Sequence, residues 1–200
     1  MFPNGRSRWL LLWALPLLAL SAQPQDSTNL NDSGHITVSS QSVPYLIRRL
    51  PVNAFPDLPV PVSEELARRH CLIPQSYEAH HPENVFHASL ERRGSSDWAM
   101  LCSANGEVSL MVFFSSAPSN PAVLVTVPEK DRLQRHDPSG VLGFDWAIDP
   151  ASPEAVHDAQ SGLERRPPRI DHDAIQDIVI DQKTAYRFFS KGTWRLLDMP

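Results

Sequence analysis

Proline is the residue type that most restricts how this chain can fold. The 200 residues include 19 prolines but only 8 glycines. Each proline fixes φ at about −65° and lacks the backbone N–H, so it interrupts helices and central strands. The prolines therefore predict rigid connections between many short elements, and they argue against long helices.

The N-terminus predicts a secretory signal peptide over residues 1–22. Arg6 and Arg8 give it a positive start, residues 9–20 are an apolar run, and residues 19–22 offer a small-residue cleavage site. A run of about a dozen residues is too short to span a bilayer of about 30 Å. We therefore expect an exported protein, periplasmic or extracellular, with no transmembrane segment in the mature chain.

The mature chain is long enough for one domain with its own core. Residues 23–42 are rich in Ser, Asn, Asp and Gln and predict a disordered leader. Residues 43–62 carry five prolines, which predict an extended strap over the domain surface. The pattern thus assigns residues 43–200 to a single α+β domain that starts with this strap.

The domain is expected to be an antiparallel sheet of six or seven short strands with two short helices. The strand-like runs are residues 85–90, 97–103, 108–115, 122–127, 178–180, 185–190 and 193–197. Asn105-Gly106 and Lys191-Gly192 are typical of tight hairpin turns. Residues 140–149 fit a loop or an irregular strand, and residues 171–177 fit one helical turn or a loop.

Two serines mark the starts of the predicted helices. Ser63 can cap the first, which has acidic residues in its first turn and ends before Pro74. Ser152, followed by Pro153, can cap a second helix that ends near residue 160.

The two cysteines, Cys71 and Cys102, are expected to form a disulfide in an oxidising compartment. The bond would close a loop of about 32 residues, worth about 3.5 kcal/mol in the chain-entropy model. The alternative is a nucleophilic or metal-binding thiol, although neither cysteine lies in a C-x-x-C pair or beside an activating cluster. A disulfide would bring the first helix against the strand that carries Cys102.

The charge of the chain excludes one class of partner. The formal net charge is −5, and removal of a signal peptide with two arginines and no acids makes it −7. Nucleic-acid-binding domains normally carry a basic patch, whereas the arginines here occur as scattered pairs. We expect no nucleic-acid partner, which leaves an unidentified protein or envelope ligand.

Two hairpin-like segments share a pattern of an acid, an apolar run and a Phe-Phe-Ser sequence. Asp97 and Asp177 precede the two runs, and the similarity fits either an internal repeat or two unrelated amphipathic hairpins. A carboxylate that opens a strand can accept hydrogen bonds from the backbone of the preceding turn. We therefore expect Asp97 to order its loop without a metal.

The paired phenylalanines are the candidate recognition aromatics. Neighbouring residues of a strand face opposite sides, so one ring of each pair points away from the main core unless a helix covers it. An uncovered ring would contribute to a recognition patch. The candidates are Phe113, Phe114, Phe188 and Phe189.

Residues 90–100 resemble a degenerate FG-GAP-type repeat unit. In that family an acidic, glycine-containing loop leads to an Asp and an apolar strand, and alternating acids of the loop bind calcium. Gly94, Asp97 and the apolar residues after it match this pattern. Ser89 and Arg93 stand where acids are needed, so the resemblance does not imply calcium binding.

Several short motifs are similar to those of exported bacterial proteins of no assigned function. They are Leu72-Ile73-Pro74-Gln75, Asn84-Val85, Asp97-Trp98-Ala99, Leu101-Cys102-Ser103, Ile170-Asp171-His172-Asp173 and Trp194. The similarity implies one family domain over most of the mature chain. It implies no activity and supplies no catalytic residues.

The eight histidines raise the question of a metal site. His80, His81 and His87, with Asp171-His172-Asp173, could supply ligands if the fold brought these segments together. No H-E-x-x-H spacing is present, and adjacent histidines would have to bind from a loop. We expect neither a bound metal nor a cofactor.

Hydrolase chemistry has little support in the sequence. Neither a G-x-S-x-G elbow nor an S-x-x-K motif is present. The acid pairs Asp145 with Asp149 and Asp171 with Asp173 would serve a glycosidase only if they flanked a sugar cleft. The sequence thus favours a non-enzymatic binding or envelope-associated module; the alternative is a small secreted hydrolase that uses an Asp/His cluster.

Overall fold

Two stacked β-sheets with a helix on each outer side form the structure. This computed structural model describes residues 30–163 and 169–198. These residues contain thirteen strands and two α-helices. The predicted signal peptide and residues 23–29 of the predicted leader lie outside the described residues.

Sheet I has nine strands, and sheet II has four. Sheet I contains β1 Asp32–Val38, β2 Gln41–Pro51, β3 Leu72–Gln75, β4 Val85–Ala88, β5 Asp97–Ala104, β6 Glu107–Phe113, β7 Ala122–Pro128, β8 Leu133–Arg135 and β9 Leu142–Phe144. Sheet II contains β10 Trp146–Ala151, β11 Ala174–Val179, β12 Lys183–Ser190 and β13 Thr193–Asp198. The helices are α1 Val60–Arg68 and α2 Pro153–Ala159.

The strand order places β7 at one edge of sheet I and β13 at one edge of sheet II. Sheet I runs β7-β6-β5-β3-β2-β9-β8, with β1 also paired to β2 and β4 to β5, and sheet II runs β10-β11-β12-β13. Strand β2 pairs in parallel with β9, and the other described pairs are antiparallel. Strands β7 and β13 are therefore terminal strands of their sheets.

Three apolar clusters hold the layers together. The largest lies between the sheets and joins Ile47 and Leu110 of sheet I to Ile148 and Ile175 of sheet II. A second packs α1 on the outer face of sheet I, and a third packs α2 on the outer face of sheet II. The layer order is therefore α1, sheet I, sheet II and α2.

The antiparallel sheet architecture and the two short helices are confirmed, but the number of strands and the α+β class need correction. Thirteen strands occur in place of six or seven, so the fold is largely all-β. The additional strands lie in segments expected to be leader, strap, loop or, for β3, the end of the first helix. Several of them pair with strands that are distant in sequence: β2, for example, pairs with both β3 and β9.

The N-terminal segment differs most from expectation. Residues 32–38 of the predicted leader form β1, which pairs with β2 along its whole length. The first part of the predicted surface strap, residues 43–51, belongs to the internal strand β2, whose Val43, Tyr45 and Ile47 are buried. Pro44 lies inside β2 between the buried Val43 and Tyr45, and Pro51 is the last residue of the strand, so the burial of alternate apolar side chains outweighs both prolines.

The two helix starts have different outcomes. Helix α1 begins at Val60 with Pro59 at its N-cap, and the expected cap, Ser63, lies inside the helix. Proline is tolerated in a first turn, so the helix starts earlier than its serine suggests. At α2 the prediction is confirmed, since Ser152 Oγ accepts a hydrogen bond of 3.2 Å from the Ala155 N–H.

The short-range predictions agree well with the structure. Asn105-Gly106 and Lys191-Gly192 form tight turns in which all four residues have positive φ, from 54° to 81°. The Cys71–Cys102 disulfide is present, with a Cα–Cα distance of 5.3 Å. Both cysteines lie in the cluster that packs α1 against β5, as expected.

Candidate functional site

One phenylalanine of each predicted pair is buried in the core, and the other belongs to a partly exposed aromatic cluster. Phe113 and Phe188 are 1% and 2% exposed, so neither is available to a ligand. Phe114 and Phe189 are partly exposed and meet each other, with ring centroids 5.0 Å apart. Trp194 completes this aromatic cluster at 6.0 Å from Phe114 and 5.6 Å from Phe189.

A cavity opens between sheet I and sheet II beside the edge strands β7 and β13. Its volume is about 210 Å³. The lining residues, which we call the inter-sheet cleft, are Val125, Val127, Arg132, Trp146, Asp177, Val179, Lys183, Ala185, Arg187, Leu196 and Asp198. The register places the residues of β11, β12 and β13 in this set on one face of sheet II.

Asp177 is the most buried carboxylate that lines the inter-sheet cleft. It lies in the middle of β11, and its side chain receives two hydrogen bonds. Trp146 Nε1–H donates to Oδ1 at 2.6 Å, and Arg187 Nε–H donates to Oδ2 at 2.7 Å. Asp177 therefore does not open its strand as expected; it fixes the indole and the guanidinium that form the cleft floor.

Arg132 supplies a second guanidinium. It follows β7 in a short 3₁₀ turn and lies over the Trp146 ring, 5.0 Å from the ring centroid. Its Nε is 3.1 Å from Asp145 Oδ1, an ion pair without hydrogen-bond geometry. Nε and Nη2 are buried without a hydrogen-bond partner in the part of the chain that the structure describes.

Asp145 is a deeply buried acid that holds Arg132 in place. Burial raises the pKa of its carboxyl, and the opposing effect of Arg132 only partly compensates. The main chain also joins the two residues, since the Asp145 N–H donates to the Arg132 carbonyl at 2.9 Å. The position of Arg132 at the cleft is thus fixed by backbone and side chain together.

The rim of the inter-sheet cleft is open and mixed in character. Leu196 on β13 is 49% exposed, and Lys183 is exposed at the start of β12. Lys183 forms no ion pair with another described residue. The terminal nitrogens of Arg187 likewise make no hydrogen bond within the described ranges.

Asp97 accepts hydrogen bonds from the preceding turn, as the sequence predicts. Its Oδ2 accepts from the N–H groups of Leu90 and Glu91 at 2.9 and 2.7 Å and from the Ser95 hydroxyl. Its Oδ1 accepts from the Ser115 N–H at 2.8 Å. The carboxylate is fully buried, and these donors satisfy it without a metal.

The histidines considered as metal ligands do not converge. His87 Nε2 lies 2.7 Å from Ser96 Oγ, while His80 and His81 lie in the turn before β4. His172 Nδ1 contacts the carbonyl of Asp173. Among residues 30–163 and 169–198, no group of three or more His, Cys, Asp or Glu side chains is arranged to hold a metal ion.

The two acids of the first pair considered for hydrolysis lie in different surroundings, and one acid of the second pair binds the backbone of another segment. Asp145 is buried beside Arg132, whereas Asp149 is on the surface with Glu83 as its charged neighbour. Asp173 Oδ2 accepts a hydrogen bond from the Ser89 N–H at 2.9 Å.

A second cavity of about 270 Å³ lies beside β2 and β9. Tyr77 and His136 stack at its edge, with centroids 4.4 Å apart and planes 7° apart. A Cβ on Gly143 would approach Tyr77 Cβ to 2.5 Å, so this stack requires glycine there. The Tyr77 hydroxyl donates to Asp181 Oδ2 at 3.0 Å, which ties the stack to sheet II.

Sequence reasoning missed the charged residues of the inter-sheet cleft. One signal was present, because Asp177 interrupts the apolar run of β11. An acid within such a run indicates a buried partner. Arg132 and Lys183 carried no comparable signal, because their roles depend on the meeting of two sheets.

No family model, curated protein or solved structure matches this chain.

Proposed function

We propose that this chain is an exported, non-enzymatic binding module whose ligand occupies the inter-sheet cleft. The observation that carries this proposal is that Asp177, Lys183 and Arg187 lie on the face of sheet II that looks toward sheet I. Facing layers of a β-sandwich normally bury apolar side chains. A cavity with apolar walls and a few polar groups is typical of a ligand site.

The aromatic cluster supports the same location. Phe189 follows Arg187 by two residues, and Trp194 precedes Leu196 by two, so both rings lie on the cleft face of sheet II. Phe114 meets them from the end of β6. Phe114 and Phe189 do not line the cleft itself, so we assign them to the surface beside it, where their exposed edges are available to a larger ligand.

Export is the second part of the proposal. The Cys71–Cys102 disulfide fits an oxidising compartment. Among the described residues, no helix has the length and apolar character needed to cross a membrane. The N-terminal pattern supplies the targeting signal, and mass spectrometry of protein from its natural compartment should give a mass that lacks about 22 residues.

Ligand binding in the cleft can be tested with a substitution that places a larger side chain at its rim. Leu196→Trp adds bulk at a half-exposed position that lines the cleft, so it should abolish ligand-induced thermal stabilisation in a fragment screen. Val123→Trp is the matched control, because Val123 is 47% exposed on the other edge strand but does not line the cleft. It should retain the hits of the wild type.

Two results would contradict the proposal. One is a set of hits that stabilises both tryptophan variants to the same extent as the wild type, which would place the binding site outside the cleft. The other is turnover of a glycoside or ester substrate that is lost on changing a single acid, which would identify a hydrolase.

A further inference from the structure

We propose that the inter-sheet cleft recognises a carboxylate attached to a short apolar group. This inference rests on the proposed binding function and specifies its ligand class. Three cationic side chains line the cleft, namely Arg132, Lys183 and Arg187, against two anionic ones, Asp177 and Asp198. The chain as a whole carries a net charge of −5, so the formal charge of this lining is opposite in sign to that of the chain.

Within the cleft, hydrogen bonds occupy both carboxylate oxygens of the buried acid Asp177 but leave cationic donors without a partner among the described residues. Asp177 already accepts from Trp146 and Arg187. Arg187 uses only Nε in this contact, and Lys183 is unpaired within the described residues. A guanidinium and an ammonium that line the same opening suit a planar carboxylate, because charged donors form its strongest hydrogen bonds.

Arg132 adds a fixed positive charge from the opposite wall. Stacking on Trp146 and the ion pair with Asp145 hold the guanidinium at the cleft. Asp145 partly neutralises it, so we assign direct ligand contact to Lys183 and Arg187. The role of Arg132 is electrostatic, acting across the narrow space between the sheets.

The walls and the volume define the rest of the ligand. Val125, Val127 and Val179 provide apolar surface, and Leu196 covers the rim. A volume of about 210 Å³ equals about seven water molecules at roughly 30 Å³ each. This space accommodates a branched acid of about seven non-hydrogen atoms, either free or as the C-terminus of a polypeptide.

The test compares acids with neutral isosteres of the same shape. Isovalerate and isovaleramide represent the free ligand, and a short peptide that ends in valine, with a free or an amidated C-terminus, represents the polypeptide. Binding is followed by ¹H–¹⁵N NMR shifts of the cleft residues. We expect each acid to bind at least about tenfold more tightly than its amide, which corresponds to about 1.4 kcal/mol.

Lys183→Gln tests the cationic contact without disturbing the fold, since Lys183 is exposed and unpaired within the described residues. It should weaken binding of the acid about threefold to tenfold and leave binding of the amide unchanged. Lys191→Gln, in the turn after β12, is the control and should behave as the wild type.

The outcomes separate the two proposals. Tighter binding of the isovalerate or of the free peptide terminus supports the inference and identifies its source. Equal binding of acids and amides in the cleft would overturn the carboxylate specificity while leaving the binding function intact. Absence of cleft shifts with all four probes would overturn the carboxylate inference, and the fragment screen with Leu196→Trp would then decide the binding function separately.

Discussion

At the scale of single residues, the buried carboxylate of Asp97 accepts four hydrogen bonds and so connects separate segments of the chain. One carboxylate joins the turn before β5 to the segment after β6 through backbone and hydroxyl donors. A buried carboxylate with several N–H donors is stabilised in its ionised form. It therefore fixes in place a loop that resembles a calcium-binding unit.

Asp97→Ala should destabilise the fold by about 3 kcal/mol or more, because several buried donors lose their acceptor at once. Urea denaturation measures this loss directly. Added calcium should leave the melting temperature of the wild type unchanged. A calcium-dependent rise of several degrees that disappears in Asp97→Ala would show that the loop binds metal after all.

The same residue predicts a pH dependence. Burial opposes ionisation of Asp97, but hydrogen bonds from Ser95, Ser115 and Glu91 outweigh it and lower the pKa. A lowered folded pKa contributes stability above the unfolded value of about 3.9, and this contribution is lost as pH falls through the folded pKa. The stability gap between the wild type and Asp97→Asn should therefore be full above about pH 4 and shrink below it.

Predictability at the residue scale depends on the sequence distance of the partners. The donors to Asp97 include Leu90, Glu91 and Ser95, all within seven positions, so its role in the preceding turn can be predicted from the local sequence. The donor Trp146 reaches Asp177 across 31 positions and a strand pairing. Its role became visible only once the sheets were assembled.

At the scale of elements, the hairpin turns and the Ser152 cap were predictable, whereas the start of α1 and the strands paired over long distances were not. Asn105-Gly106 and the Ser152 cap depend on neighbouring residues alone. Strands β2 and β9 pair with each other although they lie about a hundred residues apart in the sequence. Prolines in the segment of β2 suggested a strap, because local propensity does not include the burial that a central strand gains.

The disulfide links the segment that follows α1 to β5, and its removal should weaken the packing of α1 against β5. The double variant Cys71→Ser/Cys102→Ser should unfold about 3.5 kcal/mol more easily, since the crosslink restricts a loop of about 32 residues in the unfolded chain. Denaturation with and without reductant provides the measurement. Equal stability of the oxidised wild type and the double variant would exclude this role, and free thiols in protein from the natural compartment would exclude the bond itself.

At the scale of the whole molecule, the four-layer arrangement explains where a site can form. Sheets I and II pack tightly over the central cluster but separate at the edge strands β7 and β13. Charged residues on the inner face of sheet II occupy this opening. The fold thus combines an apolar interior between the sheets with a cavity at the edge strands that is lined in part by charged residues.

Crystallography of the protein soaked with isovalerate and with a mixed fragment library tests this account most directly. We expect density between β7 and β12, with a carboxylate within hydrogen-bond distance of Lys183 or Arg187 and the apolar part against Val125 and Val127. Density that is confined to the second cavity, beside β2 and β9, or an inter-sheet cleft that stays empty with every compound, would contradict it.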